Sequence, residues 1–593
     1  MSRLRRAVLK LVPLVLALVA LTGLGLVIAM RASPVTAARV ATPRLYILRV
    51  TVSRPQDVAQ LTSGGWDVIE ARGPDYLLVV GDDAVARDLR AQGFVIAIER
   101  ELDTSFTAGP LTYFGGYRTV SEHYQHLDDV AAAHPDLALV VDYGDSWRKA
   151  NGAPGGRDLK AICITKRQAG DCELDPETDK PRFFLVAAIH ARELSTAELA
   201  WRWIDYLVDS YDVDPDVTML LDYSEMWVAP VANPDGRLIV EQGPGSPYLQ
   251  RKNANDSSGV CSNPPSATNQ YGVDLNRNAS FQYGGAGTST YPCDQTYRGT
   301  GAASEPEEYS LEAFMRGLFR DQRGPLITDT APLTASGAMI TLHSYSNLVL
   351  LPWGWTDCLF QCSSSQQAPN NAGLRSFAFR MSYFNQYDTG QASEVLYAAS
   401  GATDDWVYGV LGIPGFTFEV GPQFGACGGF TPEYACQDST FWPINRGAFL
   451  YAAKSARQPY ATTLGPTVVT VTLNTTSTLP GTPVTLTAAV DDSLYGSYGI
   501  GRPASQPISQ VELYIDTPPW AGGAPATLAA HDGSYDSTEE IAVGQLPAMW
   551  TAGRHTLFVR GRDASGNWGP ATAQWLFVEG APPEKMYLPM LVR

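Results

Sequence analysis

The amino-acid sequence predicts three folded regions in series: a small α+β unit, a large α/β region whose mixed sheet is covered by helices on both faces, and a C-terminal β-sandwich. Three observations carry this prediction. Short strand and helix patterns alternate between residues 45 and 101, and long apolar strands alternate with helices between about 112 and 457. After residue 466, only short β runs and turn residues follow. The 593 residues provide room for several cores, because one domain takes roughly 100–200 residues.

The first residues have the pattern of an export signal. Four basic residues within positions 1–10 precede the apolar run 11–30, and small residues follow it. A basic start, an apolar stretch and a region of small residues are typical of a secretory signal peptide. The run is also long enough to span a bilayer, so residues 1–38 are either a cleaved signal peptide or an N-terminal anchor. Both alternatives predict a chain that is secreted, extracellular or held at the cell surface.

The acidic composition argues against nucleic acid as a partner. With a formal net charge of -18, the surface repels a phosphate backbone. We expect a monomer that contacts a membrane only through an uncleaved N-terminal anchor.

Eight cysteines fall into four local pairs along the chain. An even number of cysteines in an exported chain indicates disulfides, and pairing between neighbours is the simplest arrangement, although the sequence leaves the connectivity open. Cys358 and Cys362 have a spacing that also occurs in zinc sites, but no second pair of this kind lies nearby. The cysteines are Cys163, Cys172, Cys261, Cys293, Cys358, Cys362, Cys427 and Cys436.

Residues 43–103 form the first predicted unit. Strand patterns occur in "RLYILRVTV", "WDVIEAR", "DYLLVVG" and "FVIAIERE", and helix patterns that end on glycine follow the first and the third of them. This βαββαβ order is that of a ferredoxin-like fold. A linker follows near residues 102–113.

Residues 112–457 form the predicted α/β region. Its first helix has a capping box at Thr119 and Glu122. The continuous apolar run "RFFLVAAI" indicates a strand buried on both faces, and a helix pattern follows it. Further buried strands lie in "YSEMWVAPVANPDG", "GAMITLHSYSNLVLLPWG" and "GIPGFTFEVGP". This alternation predicts a mixed or mostly parallel sheet with helices on both sides.

Residues 464–582 are predicted to form an immunoglobulin-like β-sandwich. The segment "RQPYATTLGP" has the composition of a linker in front of it. Strand patterns recur in "TVVTVTLN", "PVTLTAAV", "SQVELYID", "GRHTLFVRGRD" and "ATAQWLFV", separated by Gly, Pro, Asn and Asp turns. No chemical constellation stands out here, so we expect a role in stability or attachment.

His190 and Glu193 follow the first buried strand of the α/β region, at the sheet edge where open α/β sheets bind ligands. Imidazole and carboxylate are normal zinc donors, and a catalytic zinc takes three protein ligands and leaves one position for water. One such pair is a weak signal by itself. His343 ends another apolar β run and reaches the same edge if the strands are parallel neighbours, although a lone histidine there is more often a core residue.

Several other residues carry potential chemistry. Glu419 lies within a buried β run, where a carboxylate is costly unless it is paired or functional. Asn276 and Arg277 are adjacent after a short apolar run, and Arg251 and Tyr397 lie in other segments. Taken singly, the arginines would be surface ion-pair residues and the tyrosine a surface aromatic.

The ordered set of these motifs resembles the zinc carboxypeptidases, which are metallopeptidases of the carboxypeptidase A/B type. The resemblance covers roughly residues 112–457 and rests on the order and spacing of the whole set. The motifs are His190-x-x-Glu193, Asn-Pro-Asp-Gly at 233–236, Arg251, Asn276-Arg277, His343-Ser344-Tyr345, Tyr397 with a Ser-Gly-x-x-Asp-Asp-Trp tail, and Phe-Glu-Val at 418–420.

The resemblance implies one zinc ion per chain, held by His190, Glu193 and His343. It also implies that this ion activates a water molecule and polarises the scissile carbonyl. Glu419 would be the general base that takes the water proton and passes it to the leaving amine. Arg251 would stabilise the tetrahedral oxyanion together with zinc.

The resemblance further implies how the substrate is held. Arg277, with Asn276 and Tyr397, would bind the terminal carboxylate, because a planar guanidinium matches a carboxylate with two hydrogen bonds. Asp274 stands at the position of the carboxylate that orients the first histidine ligand. The implied substrates are therefore the C-termini of peptides and proteins.

Asp404 falls, by its distance from Tyr397 and Trp406, at the position that lines the bottom of the pocket for the departing side chain. The B-type enzymes, which cut Lys and Arg, carry aspartate there, whereas the A-type enzymes carry an apolar residue. A buried carboxylate pairs with a basic side chain and remains unpaired beside an apolar one. The alternative is that Asp404 caps a helix N-terminus. Gly354, at another pocket position, leaves room.

The expected function is that of an exported zinc metallocarboxypeptidase whose preference for Lys or Arg rests on Asp404. The unit at 43–103 stands where the family often carries a pro-domain, and it is either an inhibitory pro-domain or a structural module. Two other functions compete with this one. A cell-wall peptide endopeptidase or amidase would not need Asn276, Arg277 and Tyr397, and a non-catalytic surface binding protein would be expected to lack Glu419 or a zinc ligand.

Overall fold

The structure is a computed structural model, and it describes residues 44–102, 113–358, 361–547 and 551–580. The predicted signal or anchor at 1–38 and most of the linker at 102–113 lie outside the described residues. None of the described helices combines the length and the apolar character that a membrane span requires.

Residues 44–102 form an antiparallel sheet with two helices. The sheet has the strand order β2-β3-β1-β4. The second helix begins after Asp82, whose carboxylate accepts hydrogen bonds from the amides of Ala84 and Val85 at 2.8 and 3.0 Å. The elements are β1 (Leu45–Thr51), α1 (Pro55–Ser63), β2 (Asp67–Gly73), β3 (Tyr76–Gly81), α2 (Asp83–Ala91) and β4 (Ile96–Leu102).

The central region alternates strands and helices, as the sequence predicts. Its strands are β5 (Ala138–Asp145), β6 (Asp158–Ile164), β7 (Arg182–Ala187), β8 (Glu225–Ala229), β9 (Ala338–His343), β10 (Leu348–Leu351), β11 (Asp388–Gln391) and β12 (Gly415–Glu419). Its helices are α3 (Val120–Ala133), α4 (Trp147–Ala150), α5 (Leu194–Ser210), α6 (Pro215–Tyr223), α7 (Pro234–Val240), α8 (Pro306–Leu318), α9 (Asn371–Asn385), α10 (Ala392–Val395), α11 (Thr403–Leu411), α12 (Trp442–Ser455) and α13 (Pro459–Thr462).

The central sheet is mixed and has the order β11-β10-β12-β9-β7-β8-β6-β5 among the described strands. Strands β8, β7, β9 and β12 run parallel to one another, so their carboxyl ends meet at one edge of the sheet. The outer strands β5, β6 and β10 pair antiparallel with their inner neighbours. Every residue of β7, β9 and β12 is buried, which agrees with their continuous apolar sequences.

Helices cover both faces of this sheet, so the predicted α/β fold of the central region is confirmed. On one face, Trp203 of α5, Phe377 of α9 and Phe449 of α12 pack in one core. On the other face, Phe314 of α8 and Trp406 of α11 belong to a second core. The predicted capping box of α3 is also present: Thr119 accepts a hydrogen bond from the amide of Glu122, whose carboxylate accepts one from the amide of Thr119.

Two sheets pack face to face in the C-terminal region, with the strand orders β13-β15-β19-β18 and β14-β21-β20-β16-β17. Sequence patterns do not reveal β19, because its segment "EEIAVGQL" begins with two charges and contains a glycine, yet it pairs with β15 along its whole length. The strands are β13 (Thr467–Leu473), β14 (Ser477–Thr478), β15 (Val484–Asp491), β16 (Ile508–Ile515), β17 (Ala526–Thr527), β18 (Ala529–Ala530), β19 (Glu539–Leu546), β20 (Gly553–Asp563) and β21 (Thr572–Val578).

The segment "RQPYATTLGP", which has the composition of a linker, packs against the central region. It contains helix α13, whose residues Pro459 and Tyr460 are buried. The Tyr460 hydroxyl donates a hydrogen bond to the carbonyl of Gly412 at 2.8 Å. The apolar ring and its satisfied hydroxyl outweigh the turn-like composition of the segment, so the linker between the two regions contains a packed helix.

The four disulfides join neighbouring cysteines along the chain. The pairs are Cys163–Cys172, Cys261–Cys293, Cys358–Cys362 and Cys427–Cys436. Cys358 and Cys362 therefore form a disulfide and not a zinc site.

Candidate active site

His190, Glu193 and His343 meet at the carboxyl edge of the central sheet. The Nδ1 atoms of the two histidines lie 3.0 Å apart. The Glu193 oxygens lie 2.8 Å from Nδ1 of His190 and 3.2 Å from Nδ1 of His343. All three side chains are buried, and among the described residues they form the one cluster of three or more potential ligands that could hold a metal ion.

The turn between β7 and α5 orients His190 and Glu193 towards His343. Ala188 adopts a left-handed backbone conformation with φ of 52°, which is uncommon for a residue with a Cβ atom and is typical of functional sites. Its amide donates to Oγ1 of Thr196, and that hydroxyl in turn donates to the carbonyl of Glu193. The Asn233 side chain donates to the carbonyl of Ile189 and holds the turn from the other side.

These three side chains fit a zinc ion. Nitrogen and carboxylate donors sit about 2.0–2.2 Å from zinc, and two tetrahedral ligands at such lengths are about 3.3 Å apart. The observed separations of 2.8 to 3.2 Å are close to this value. Two imidazoles and one carboxylate also leave one tetrahedral position for water or substrate, as catalytic zinc sites require.

Asp274 fixes the orientation of the first histidine ligand. Its Oδ1 lies 3.1 Å from Nε2 of His190, and its Oδ2 accepts a hydrogen bond from Nε of Arg251 at 3.0 Å. Burial alone raises the pKa of Asp274, but the Arg251 charge and the hydrogen bond with His190 outweigh it and hold the pKa well below its usual range. An ionised Asp274 favours the proton on Nε2 of His190, which leaves the Nδ1 lone pair directed at the ligand cluster.

The surroundings of the other two ligands favour the protonation states that a metal needs. Burial lowers the pKa of His343, which favours the neutral imidazole. For Glu193, burial raises the pKa, but the neighbouring His190 and His343 rings prevail and the pKa falls below its usual range. A neutral imidazole and an ionised carboxylate are the forms that bind zinc.

The remaining predicted site residues line one small cavity beside the ligands. Its volume is about 30 Å³. The predicted residues in its wall are Arg251, Asn276, Arg277, Tyr397, Asp404 and Glu419. Glu419 ends β12 and pairs in the sheet with His343, so the register of two parallel strands sets it next to the ligand cluster.

A tight turn presents Asn276 and Arg277 to the cavity. The turn Leu275–Arg277 begins at Asp274, whose carboxylate accepts the amide of Asn276. Arg277 donates to the carbonyl of Gly287 at 2.9 Å and to that of Asn276 at 2.7 Å, which fixes its guanidinium. The same Asp274 therefore holds both the metal-ligand histidine and the turn that carries Arg277.

Asp404 lies in the wall of the cavity and not at the N-cap of a helix. The N-cap of α11 is Ala402, and Asp404 is the second residue of the helix, with its Oδ1 accepting the amide of Asp405 at 3.0 Å. Burial raises the pKa of Asp404 above its ordinary value. Gly354, the other predicted pocket residue, lines the same cavity.

The N-terminal unit covers this edge of the sheet. Asp67 forms two hydrogen bonds with Arg192, at 2.7 and 2.8 Å, and both side chains are buried. The Tyr397 hydroxyl donates to the carbonyl of Val68 at 3.3 Å, and Arg72 donates to the carbonyl of Leu396 at 2.8 Å. Sequence patterns do not identify Asp67 and Arg192 as a pair, although Arg192 stands between the two ligands of the first motif.

A buried cluster of two histidines and one glutamate, at the edge of a mixed α/β sheet and beside arginines and a further glutamate, defines a metal-dependent hydrolase. The sequence profile of the zinc carboxypeptidases matches residues 123–440, more than half of the chain, and the chain belongs to this family. It is therefore a zinc-dependent metallocarboxypeptidase, a hydrolase that acts on peptide bonds.

Known relatives agree with this assignment. The chain is 29% identical over 357 residues to carboxypeptidase A2 of Mus musculus, covering 59% of this chain and 72% of the relative. It is 30% identical over 366 residues to zinc carboxypeptidase A 1 of Anopheles gambiae, covering 60% of this chain and 72% of the relative. Among solved structures, the carboxypeptidase A from Helicoverpa armigera has the same fold, with a TM-score of 0.52 at 20% identity, over 70% of this chain and 99% of that one.

We expect zinc binding to depend on His343 and, more weakly, on Asp274. Metal analysis of the purified protein should find one zinc per chain, and His343→Ala should reduce this to a small fraction because one of three ligands is missing. Asp274→Asn should retain zinc but weaken its affinity about 10- to 100-fold in a chelator competition, because it keeps all three ligands and weakens the contact that orients His190. His531→Ala, on the exposed surface of the C-terminal region, is the control and should bind zinc as the unmodified chain does.

Proposed function

We propose that the chain removes C-terminal residues, preferably Lys and Arg, from peptides and proteins outside the cell, after its N-terminal unit has been released. The observation that carries this proposal is the single small cavity in which Arg277, Asp404 and Glu419 stand beside the ligand cluster. In this cavity, Arg277 would bind the terminal carboxylate, Asp404 would bind a basic side chain, and Glu419 would act as the base. The zinc ligands proposed for the chain are His190, Glu193 and His343.

Zinc, when bound, supplies a Lewis acid that polarises the scissile carbonyl and makes a water molecule more acidic. Glu419 then accepts the water proton on its carboxylate and delivers it to the leaving amine. Its position supports this role, because it is buried at the end of β12 directly beside His343. Arg251 donates to the oxygen on which negative charge develops, and Asp274 keeps the Arg251 guanidinium in place.

Arg277, Asn276 and Tyr397 bind the terminal carboxylate of the substrate. Two donors of Arg277 are engaged by backbone carbonyls, so its guanidinium is oriented before the substrate arrives. Asn276 accepts the amide of Thr403 at 3.0 Å and connects this turn to α11, which carries Asp404. A site that fixes the carboxylate in this way favours exopeptidase action, and it disfavours cell-wall endopeptidase or amidase action and a purely binding role.

Asp404 selects Lys or Arg at the C-terminus. The carboxylate is buried, and burial raises its pKa, so ionising it costs free energy that an incoming ammonium or guanidinium group offsets. An apolar side chain offers no such compensation and would face a buried polar group instead. Gly354 leaves the space that a long basic side chain needs.

The N-terminal unit, residues 43–103, is proposed to be a ferredoxin-like pro-domain. Its strand order and two helices support this fold, and its position over the cavity supports inhibition. The Asp67–Arg192 ion pair and the bond from Tyr397 to Val68 engage a neighbour of the ligand Glu193 and one residue of the cavity wall. Its contacts with Tyr397 and Leu396, two residues of the cavity wall, support the proposal that the unit leaves before catalysis.

The remaining proposals concern the whole chain. Residues 112–457 are the catalytic domain, and residues 464–582 are an immunoglobulin-like sandwich, which the two packed sheets support. Export, directed by a signal or anchor at 1–38, is supported by the four disulfides, since disulfides persist in oxidising compartments. We propose that the exported chain is a monomer whose only membrane contact would be an uncleaved anchor.

Glu419→Gln should abolish peptide hydrolysis and leave zinc in place. The amide retains the shape of the side chain but cannot accept a proton, so kcat should fall at least about 10²- to 10⁴-fold, the usual range for a general base. Metal analysis on the same sample should still give one zinc per chain. Residual activity close to that of the unmodified chain would mean that another group is the base.

Asp404→Ala should remove the preference for basic C-termini. We expect kcat/KM for peptides ending in Lys or Arg to fall about 100-fold, because the buried counter-charge is gone, while peptides ending in Leu or Phe improve or stay the same. The measurement compares four peptides that differ only in the last residue, with and without a chelator. A preference for Leu or Phe in the unmodified chain would refute the role of Asp404.

Cleavage within residues 102–113 should raise the activity, and Asp67→Asn should raise the activity of the uncleaved chain. Removing one member of a buried ion pair costs about 3–5 kcal/mol, which weakens the attachment of the N-terminal unit. Hydrolysis of a short peptide by the uncleaved chain is the readout. Asp75→Asn, an exposed change in the same unit, is the matched control and should have no effect. Equal activity before and after cleavage would identify the unit as a structural module.

A further inference from the structure

A loop of the C-terminal sandwich continues the edge of the catalytic sheet. Strand β11 is the outermost strand on that side, and the loop between β15 and β16, residues 492–507, lies along it. The amide of Ile500 donates to the carbonyl of Thr389 at 2.8 Å, and Gly499 forms a parallel bridge with the same residue. We refer to residues 492–507 as the edge loop.

Glycines allow the edge loop to approach this closely. A Cβ atom at Gly499 would lie 2.2 Å from the carbonyl oxygen of Thr389, and the residue has φ of 124°, which side chains disfavour. A Cβ atom at Gly496 would lie 2.1 Å from Oγ of Ser382, and the Gly496 amide donates to the carbonyl of Phe379 at 2.7 Å. The backbone of the loop is therefore in direct contact with both α9 and β11.

A buried ion pair anchors the start of the edge loop. Arg380 of α9 donates to Asp492 at 2.6 Å, and both side chains are almost fully buried. The Arg380 guanidinium also lies 3.9 Å from the centre of the Tyr495 ring, a cation–π distance. Because an unpaired charge at this depth is costly, the contact keeps the sandwich attached to α9.

A second arginine of α9 connects the edge loop to the substrate cavity. Arg375 donates to the carbonyl of Ile500 and, with its other terminal nitrogen, to both oxygens of Glu394 at 2.8 and 2.9 Å. Glu394 belongs to α10 and accepts the amide of Gln391, which closes the capping box of that short helix. The loop, Arg375 and α10 thus form one continuous set of hydrogen bonds.

Helix α10 is followed directly by Leu396 and Tyr397, and both of these residues line the cavity. We infer that the edge loop of the sandwich is a positioning element that, through Arg375 and Glu394, holds α10 and Tyr397 in place for the substrate carboxylate. The sandwich then helps to position residues of the active site and is not only an attachment module. The expected effect on substrate binding rests on the proposed function of Tyr397. The expected ordering of α10 by the edge loop is independent of that function.

Hydrogen exchange of the full chain tests the ordering. In Gly499→Val the added side chain forces the loop off β11, and peptides covering 388–397 should exchange about tenfold faster. Arg554→Ala, which breaks an exposed ion pair of 2.9 Å between the sandwich and Asp212, is the matched control and should leave 388–397 unchanged. Faster exchange of the edge loop alone, with 388–397 unaffected, would overturn the inference. If Gly499→Val does not fold, Arg375→Gln replaces it, and the same faster exchange of peptides covering 388–397 is expected.

Kinetics after cleavage in the linker test the link to substrate binding. Gly499→Val and Arg375→Gln should each raise KM about fivefold or more with a smaller change in kcat. Both loosen Tyr397, which binds the substrate carboxylate, and leave the base and the zinc ligands unchanged. Arg375→Lys, which keeps one charged donor, should restore part of the loss. A fall in kcat at unchanged KM would overturn the inference. A chain with no carboxypeptidase activity at all would refute the proposed function instead, and the exchange result would still decide whether the loop orders α10.

Discussion

The parallel pairing of β7, β9 and β12 is the constraint on which the active site depends. In this register His343 lies opposite Glu419, and the end of β7 lies beside the end of β9. Three segments that are far apart in the sequence therefore deliver their polar side chains to one point at the sheet edge. Because side chains alternate between the faces of a strand, a slip of one residue in either pairing would turn a ligand or Glu419 away from the others.

Buried arginine–aspartate pairs connect the catalytic region to each of its neighbours. Arg192 pairs with Asp67 of the N-terminal unit, and Arg380 pairs with Asp492 of the sandwich. In both pairs the central region supplies the guanidinium, although the chain as a whole carries a net charge of -18. The two attachments differ in their covalent link. The sandwich follows the packed helix α13, whereas the N-terminal unit is joined through residues 102–113, where the proposed cleavage would fall.

The zinc ligands could be predicted from the sequence only as members of an ordered set of motifs, because His190-x-x-Glu193 and His343 are weak signals when taken singly. The role of Glu419 comes from the same set and stays a prediction. Arg277, Asn276 and Tyr397 were recognisable by their order along the chain. The contacts between regions could not be predicted, because they depend on pairs such as Asp67 with Arg192 that lie 125 residues apart and have no local pattern. Strand β19 and helix α13 were missed for a related reason. Tertiary pairing and the burial of Tyr460 override the local composition in these segments.

The adjacent residues Asp404 and Asp405 are both buried, but their carboxyl groups have different surroundings. Asp405 accepts hydrogen bonds from the amides of Gly354 and Trp355, so it fixes the segment that carries the pocket glycine. Asp404 lines the cavity, and the amide of Asp405 and the Thr417 hydroxyl are its neighbouring donors. Burial raises the pKa of both groups, and for Asp405 the charge of Asp404 adds to that effect. A cationic substrate side chain beside Asp404 would lower the free-energy cost of ionising these two buried carboxyl groups. The proposed preference for basic side chains therefore follows from electrostatics as well as from the shape of the cavity.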